Sequence, residues 1–161
     1  MILVSDSSPL ISLALVVRLD RLRQLFTTVP VPEAVWRETV ERGEGRAGAA
    51  EIASLGWIQT ATLASHALLS TLQQSLGAGE APAIALAVEL RVDLLLMDER
   101  RGRTAAVTHG LTVTGLAGVL LEGRRAGFLP AVKPVLDDLT GRGSIWLTQP
   151  LHQHALRLAG E

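Results

Sequence analysis

Four acidic residues stand out as groups able to do chemistry: Asp6, Glu38, Glu80 and Asp98. Asp6 follows the apolar run Met1-Ile2-Leu3-Val4, Asp98 follows Leu94-Leu95-Leu96-Met97, and Glu80 opens the helical stretch from Ala81 to Ala87. In an open parallel sheet, ligands bind outside the carboxyl ends of the strands, so acids at those ends can meet in one crevice. Carboxylates brought together repel one another, and a hard divalent cation relieves that repulsion. Magnesium prefers oxygen ligands and keeps several waters, which suits a few acids and a phosphate; manganese is an acceptable substitute.

Each acid also has an ordinary structural reading. Asp6 precedes Ser7-Ser8-Pro9 and would cap a helix starting there, as would Ser8. Asp98 could simply begin a turn. Glu80 in a first helical turn gains roughly 0.3 to 1 kcal/mol from the backbone dipole without any catalytic role. Gly77 and Gly79 just before it, however, would let a ligand or another backbone approach closely. Glu38 has Arg42 four residues on, the favourable order for an exposed helical ion pair. It also lies three positions beyond Val35, so it could instead line the inner edge of its helix.

The elements that must position these acids alternate in type. Strands are expected at Ile2 to Ser5, Trp57 to Thr60, Leu94 to Met97 and Leu111 to Thr114, with a possible fifth at Ser144 to Thr148. Between them the pattern is helical at Pro9 to Val17, Leu19 to Leu25, Pro32 to Arg42, Ala47 to Leu55, Leu63 to Leu76 and Glu80 to Leu90. It is helical again at Arg101 to His109, Leu116 to Ala126, Pro130 to Thr140 and Leu151 to Leu158. Short apolar strands separated by longer helices predict a three-layer α/β/α fold with a largely parallel central sheet. Residues 1–161 are expected to form one domain, since no linker or repeat divides them.

Composition narrows the chemistry. There is no cysteine, so disulfides and thiolate metal sites are excluded and a reducing, cytoplasmic setting is expected. The amino terminus does not have the pattern of a signal peptide, and no apolar run approaches the ~20 residues that cross a bilayer. A net charge of −1 gives no overall attraction for nucleic acid. Arg100, Arg101 and Arg103 directly follow Asp98, however, and Arg124-Arg125 form a second basic pair. His152 and His154 lie two apart, a spacing that does not share a helix face and so does not suit a metal. Gly77-Ala78-Gly79 lacks the further residues of a dinucleotide fingerprint or a P-loop. With Trp36, Trp57 and Trp146, two phenylalanines and no tyrosine, an aromatic stacking platform is not expected.

Taken in order, Asp6-Ser7-Ser8-Pro9-Leu10-Ile11, Val31-Pro32 through Glu38, Leu76-Gly77-Ala78-Gly79-Glu80-Ala81, and the aliphatic strand ending in Asp98 form a specific set. With Gly110 to Gly115 they make the chain resemble PIN-domain proteins of the VapC-like toxin type, in a compact bacterial and archaeal subgroup. The likeness spans nearly the whole chain. It implies that Asp6, Glu38, Glu80 and Asp98 are the catalytic set, with Asp6, Glu80 and Asp98 as metal ligands. Ser7, Ser8, Glu99, Arg100 and Arg103 are candidates for supporting contacts or substrate contacts. Two positions depart from the pattern: Glu99 where Asp is common, and Leu116 where Thr is common.

The resemblance implies magnesium-dependent hydrolysis of RNA phosphodiesters, with water as nucleophile oriented by an acid such as Glu80 or Asp98. It also implies a cognate antitoxin and a homodimer. Two rival readings compete. A phosphoacceptor domain would need a second acid beside Asp6 and a late lysine, where this chain has Ser7 and only Lys133. A catalytically weak PIN-like binding module would use apolar helices such as Pro9 to Leu25 to dock a protein partner.

Overall fold

The computed structural model describes the chain except residues 17, 18, 20–22, 44, 46, 47 and 142–146. The strands are β1 (Leu3–Ser5), β2 (Val29–Pro32), β3 (Ile58–Ala61), β4 (Leu94–Leu96) and β5 (Val113–Thr114), and every pairing is parallel. β1, β4 and β5 form one ladder, and β2 and β3 form another. A single bridge between Ile2 and Thr28 joins the two, giving the order β3-β2-β1-β4-β5. The chain runs outward from β1 in one direction and later returns to its other side, which puts the reversal of strand order between β1 and β4.

β2 was not expected from the sequence, because Pro30 and Pro32 cannot donate to a ladder. The structure shows how the strand tolerates them. Val29 donates its amide to the carbonyl of Trp57 on the β3 side. Alternation along the strand then turns the proline nitrogens to the β1 side, where pairing stops at one bridge.

Helices cover both faces. α1 (Ser7–Val16), α2 (Glu33–Trp36), α3 (Ala49–Ser54), α4 (Ala67–Leu72), α5 (Glu80–Leu90), α6 (Arg100–Thr108), α7 (Leu116–Arg125), α8 (Lys133–Gly141) and α9 (Gln149–Ala159) lie between the strands and, from α7 on, after the last of them. Leu3 and Leu96 point into a core shared with α1, α7, α8 and α9. Val4, Leu95 and Met97 point the other way, against α4, α5 and α6. Burial on both faces by adjacent residues makes the three-layer α/β/α arrangement, as the apolar runs predicted. α5 is buried from Ala81 to Ala87, and its alanines let it lie close to the sheet. Full burial of Ile84 and Leu86 there contributes about 1.5 to 3 kcal/mol each.

Several boundaries differ from the sequence reading. The stretch expected as a helix from Leu63 to Leu76 is helical only over α4, because Glu89 accepts the amides of Ala64 at 3.0 Å and Ser65 at 3.2 Å and holds that segment out of a helix. The helix expected from Pro32 to Arg42 is interrupted: α2 continues as a π-helical turn, Arg37–Glu41, closed by the Arg42 amide on the Arg37 carbonyl at 2.7 Å. Residues 20–22 of the expected helix Leu19 to Leu25, and residues 144–146 of the possible fifth strand, lie outside the described residues, as does Trp146; Arg23 to Leu25 form a turn, and Leu147 and Thr148 are not in a strand. Trp57 is buried in the core. Among the described residues no helix is long and apolar enough to cross a membrane.

Candidate functional site

β1 ends at Ser5, and the next residue, Asp6, is fixed by its amide on the Leu96 carbonyl of β4 at 3.1 Å. Its side chain is thereby set at the carboxyl edge of the sheet, only 7% exposed. One oxygen, Oδ1, accepts the Ser7 amide at 2.7 Å, so Asp6 does sit at the start of α1 as a helix-start residue would. That bond does not stabilise the charge enough. Loss of water raises the carboxyl to a pKa of about 6, and Glu80, Glu38 and Asp98 push in the same direction against the Ser7 amide.

Glu38 joins this group through Ser7. The buried Ser7 hydroxyl donates to Glu38 Oε2 at 2.7 Å. No Glu38–Arg42 ion pair occurs among the described residues. The reason is the π turn: its i to i+5 winding breaks the i, i+4 stacking on which such a pair depends. Gly79 packs against all three side chains. A Cβ there would lie 2.6 Å from Asp6 Oδ1, 3.1 Å from Ser7 Oγ and 3.4 Å from Glu38 Oε2. The close approach read from Gly77 and Gly79 is therefore made by Gly79, and the backbone it admits carries Glu80 at the next residue.

Glu80 folds back over its own helix start, where Oε2 accepts the Gly77 amide at 2.9 Å. The other oxygen, Oε1, is buried with no hydrogen-bond partner among the described residues. It faces α6 at Gly102, where an added Cβ would come within 2.7 Å of it. Asp98 lies just past β4 and accepts the Leu116 amide at the start of α7 at 3.0 Å. Its surface stays open on one side, yet loss of hydration at its packed side raises its pKa, with the Leu116 amide and Arg103 pulling back. Arg103 donates from Nη1 to the Met97 carbonyl at 2.7 Å. A Cβ on Gly115 would fall 2.7 Å from Asp98 Oδ1 and 3.3 Å from that guanidinium nitrogen.

Asp6 and Asp98 line one cavity of about 680 Å³, together with Ser8, Glu99 and Arg103. A second, of about 530 Å³, begins at Asp98 and Arg103 and runs along α6 past Arg100. The other basic pair is spent locally, Arg125 on Glu122 at 2.8 Å and Arg124 near Glu161 at 3.8 Å. His152 turns to Asp137 at 3.1 Å while His154 lines the larger cavity, so the two histidines diverge as their spacing required. Gly102 was not singled out from the sequence, Gly115 entered only through the family likeness, and His154 was weighed only as a metal ligand. Gly102 had left a signal, a glycine inside an otherwise helical run between two arginines.

As the side chains stand, no three acids or histidines among the described residues close around a point that would hold an ion. The donor set nevertheless fits a hard divalent cation. It is made of carboxylate oxygens, it includes the orphaned Glu80 Oε1, and it holds Asp6 at a proton affinity that only positive charge or a proton would relieve.

A doubly wound parallel sheet with carboxylates around its switch point defines the class: an α/β domain whose strand ends form an acidic ligand crevice. Within that class, a family model described as a PIN domain matches residues 2–161, and the chain belongs to the PIN-domain family. PIN domains are generally nucleases, act on RNA, typically use divalent metals and often pair with antitoxins. Neither a curated protein nor a solved structure gives a match.

Proposed function

We propose that this protein is a single-domain, magnesium-dependent endoribonuclease, with manganese as a substitute, and the VapC-like toxin of a type II toxin–antitoxin pair. The observation that carries the reading is geometric: Asp6, Ser7 and Glu38 close around Gly79, the residue before Glu80, and Asp6 shares one cavity with Asp98. Acids in such an arrangement serve a cation better than they serve the fold. Asp6, Glu80 and Asp98 are the proposed metal ligands, and Glu38 completes the catalytic set. A bound divalent cation would lower the pKa of a water molecule and neutralise charge on a phosphate.

The chain's own residues account for the remaining tasks. Ser7 orients Glu38. Glu80 or Asp98 is the acid that would orient a water and take its proton. Arg103 commits Nη1 to the Met97 carbonyl, and its other donors remain to meet a phosphate oxygen beside Asp98. Ser8, Glu99 and Arg100 border the cavities where the rest of the substrate would pass. A cytoplasmic setting, a homodimer and a cognate antitoxin go with the toxin reading and rest on the family likeness.

The deciding experiment incubates the purified protein with an RNA pool in magnesium, manganese or chelator. Cation-dependent cleavage is expected from the native protein and none from Asp6→Asn or Asp98→Asn, with circular dichroism showing that both variants remain folded. Full activity in Asp6→Asn would remove the mechanism.

A further inference from the structure

The acids occupy only one end of the larger cavity. From Asp6 and Asp98 the space runs between α1, α7 and α9 to a wall made by Leu121, Leu147, Leu151 and Leu158. α9 supplies that wall from Leu151, His154, Ala155 and Leu158, which follow i, i+3, i+4 and i+7 spacing and so share one face. This stripe is not ordinary core, for Leu151 is 48% exposed and Leu158 62% exposed. A phosphate or a hydrated cation loses water against leucine and gains nothing in return. The part of a polynucleotide that does gain is the flat face of a base. His154 supplies the one aromatic ring among the described residues lining this cavity.

The second cavity adjoins the first. It shares Asp98 and Arg103 with the first and continues along α6 past Arg100, Thr104 and Thr108. Arg100 and Arg103 there suit a sugar–phosphate chain, because phosphate contacts position a nucleic acid without reading its sequence. The two spaces therefore meet at the acid site, one carrying Arg100 and Arg103 along α6 and the other walled by leucines.

We propose that the leucine-walled arm is a nucleobase subsite, which takes one unpaired base of an RNA strand whose backbone crosses Asp98 and runs along α6, with His154 stacking on that base. The inference rests on the nuclease reading and adds to it the place where one base is held; a duplex, which keeps its bases stacked, would not offer that base.

The test measures binding, so that it stands apart from cleavage. Asp6→Asn protein in chelator is titrated with short fluorescent RNAs in which one nucleotide at a time lacks its base, and with a duplex of the same sequence. One position is expected at which base removal weakens binding about tenfold or more, the scale of a single base-stacking contact. Adding Leu151→Ala and His154→Ala abolishes that sensitivity and leaves the other positions unchanged, while His154→Phe alone preserves it; the duplex binds at least about tenfold more weakly than the single strand. Uniform insensitivity to base removal, or sensitivity that survives the Leu151→Ala/His154→Ala change, overturns the subsite. So does a result in which these changes spare RNA binding and instead abolish binding of a protein segment to the groove. A native protein that cleaves no RNA, yet shows the single sensitive position, retains the subsite and loses the nuclease.

Discussion

At the scale of single residues, Asp6 links charge to stability in a direction opposite to that of most carboxylates. Its folded pKa of about 6 lies above the ordinary 3.8, so the folded protein binds the proton more tightly than the unfolded chain does. The favourable contribution is complete below about pH 4 and is lost as pH rises through about 6, amounting to at most about 3 kcal/mol for a shift of this size. The exposed acids Asp137 and Glu161, whose pKa values are lowered by Lys133 and by the Val132 amide respectively, work the other way and lose their contribution under acid. Denaturant unfolding of metal-free protein at pH 4.5, 5.5 and 7.0 should therefore show Asp6→Asn gaining on the native protein as pH rises. An advantage that does not grow with pH would contradict the assignment. Gly79→Ala places a methyl group 2.6 Å from Asp6 Oδ1, so it should cost roughly 1 to 3 kcal/mol and weaken manganese binding at least about tenfold, read by unfolding and by calorimetric titration.

At the scale of elements, the π turn at Arg37–Glu41 has a defined consequence. It keeps Arg42, four residues on, from stacking over Glu38, where it would neutralise it. Deleting the exposed Glu41 should return this stretch to α-helical winding and bring Arg42 within i, i+3 reach of Glu38. The expected outcome is a drop of about tenfold in cation affinity with little loss of melting temperature, because a surface pair contributes only about 0.2 to 1 kcal/mol to stability. Unchanged affinity would show that Glu38 acts apart from the cation. α8 carries stability rather than chemistry, in contrast to α7, whose first amide holds Asp98. Leu120 and Leu136 are fully buried in the core on that face, and Leu136→Ala should cost about 2 to 5 kcal/mol while cation affinity per folded molecule stays the same.

At the scale of the whole molecule, the acidic crevice is an electrostatic cost that a cation would offset. Manganese at about 100 times its dissociation constant should stabilise the fold by about 2.7 kcal/mol, which corresponds to roughly 5 to 10 °C in a protein of this size. At pH 5 the rise should largely disappear, because Asp6 then holds a proton that the cation must displace. Thermal melts with and without manganese at pH 5.0 and 7.5 check this, and an equal rise at both would place the ion elsewhere.

The sequence alone was enough for the alternation of apolar strands and helices, for the parallel sheet, and for Asp6 and Asp98 at the ends of two strands. These depend on local periodicity and on short-range order along the chain, which residue types encode directly. Glu38 was not legible in this way. On spacing it belonged to an exposed ion pair, and only the π turn and the Ser7 hydroxyl from α1 placed it beside Asp6. β2 was hidden for a related reason, since two prolines exclude a strand unless the sheet happens to end its pairing on their side. Gly102, Gly115 and His154 gained their significance wholly from neighbours distant in sequence. Packing between remote segments decides which oxygen meets which amide and which leucine faces solvent, and no local pattern contains that information.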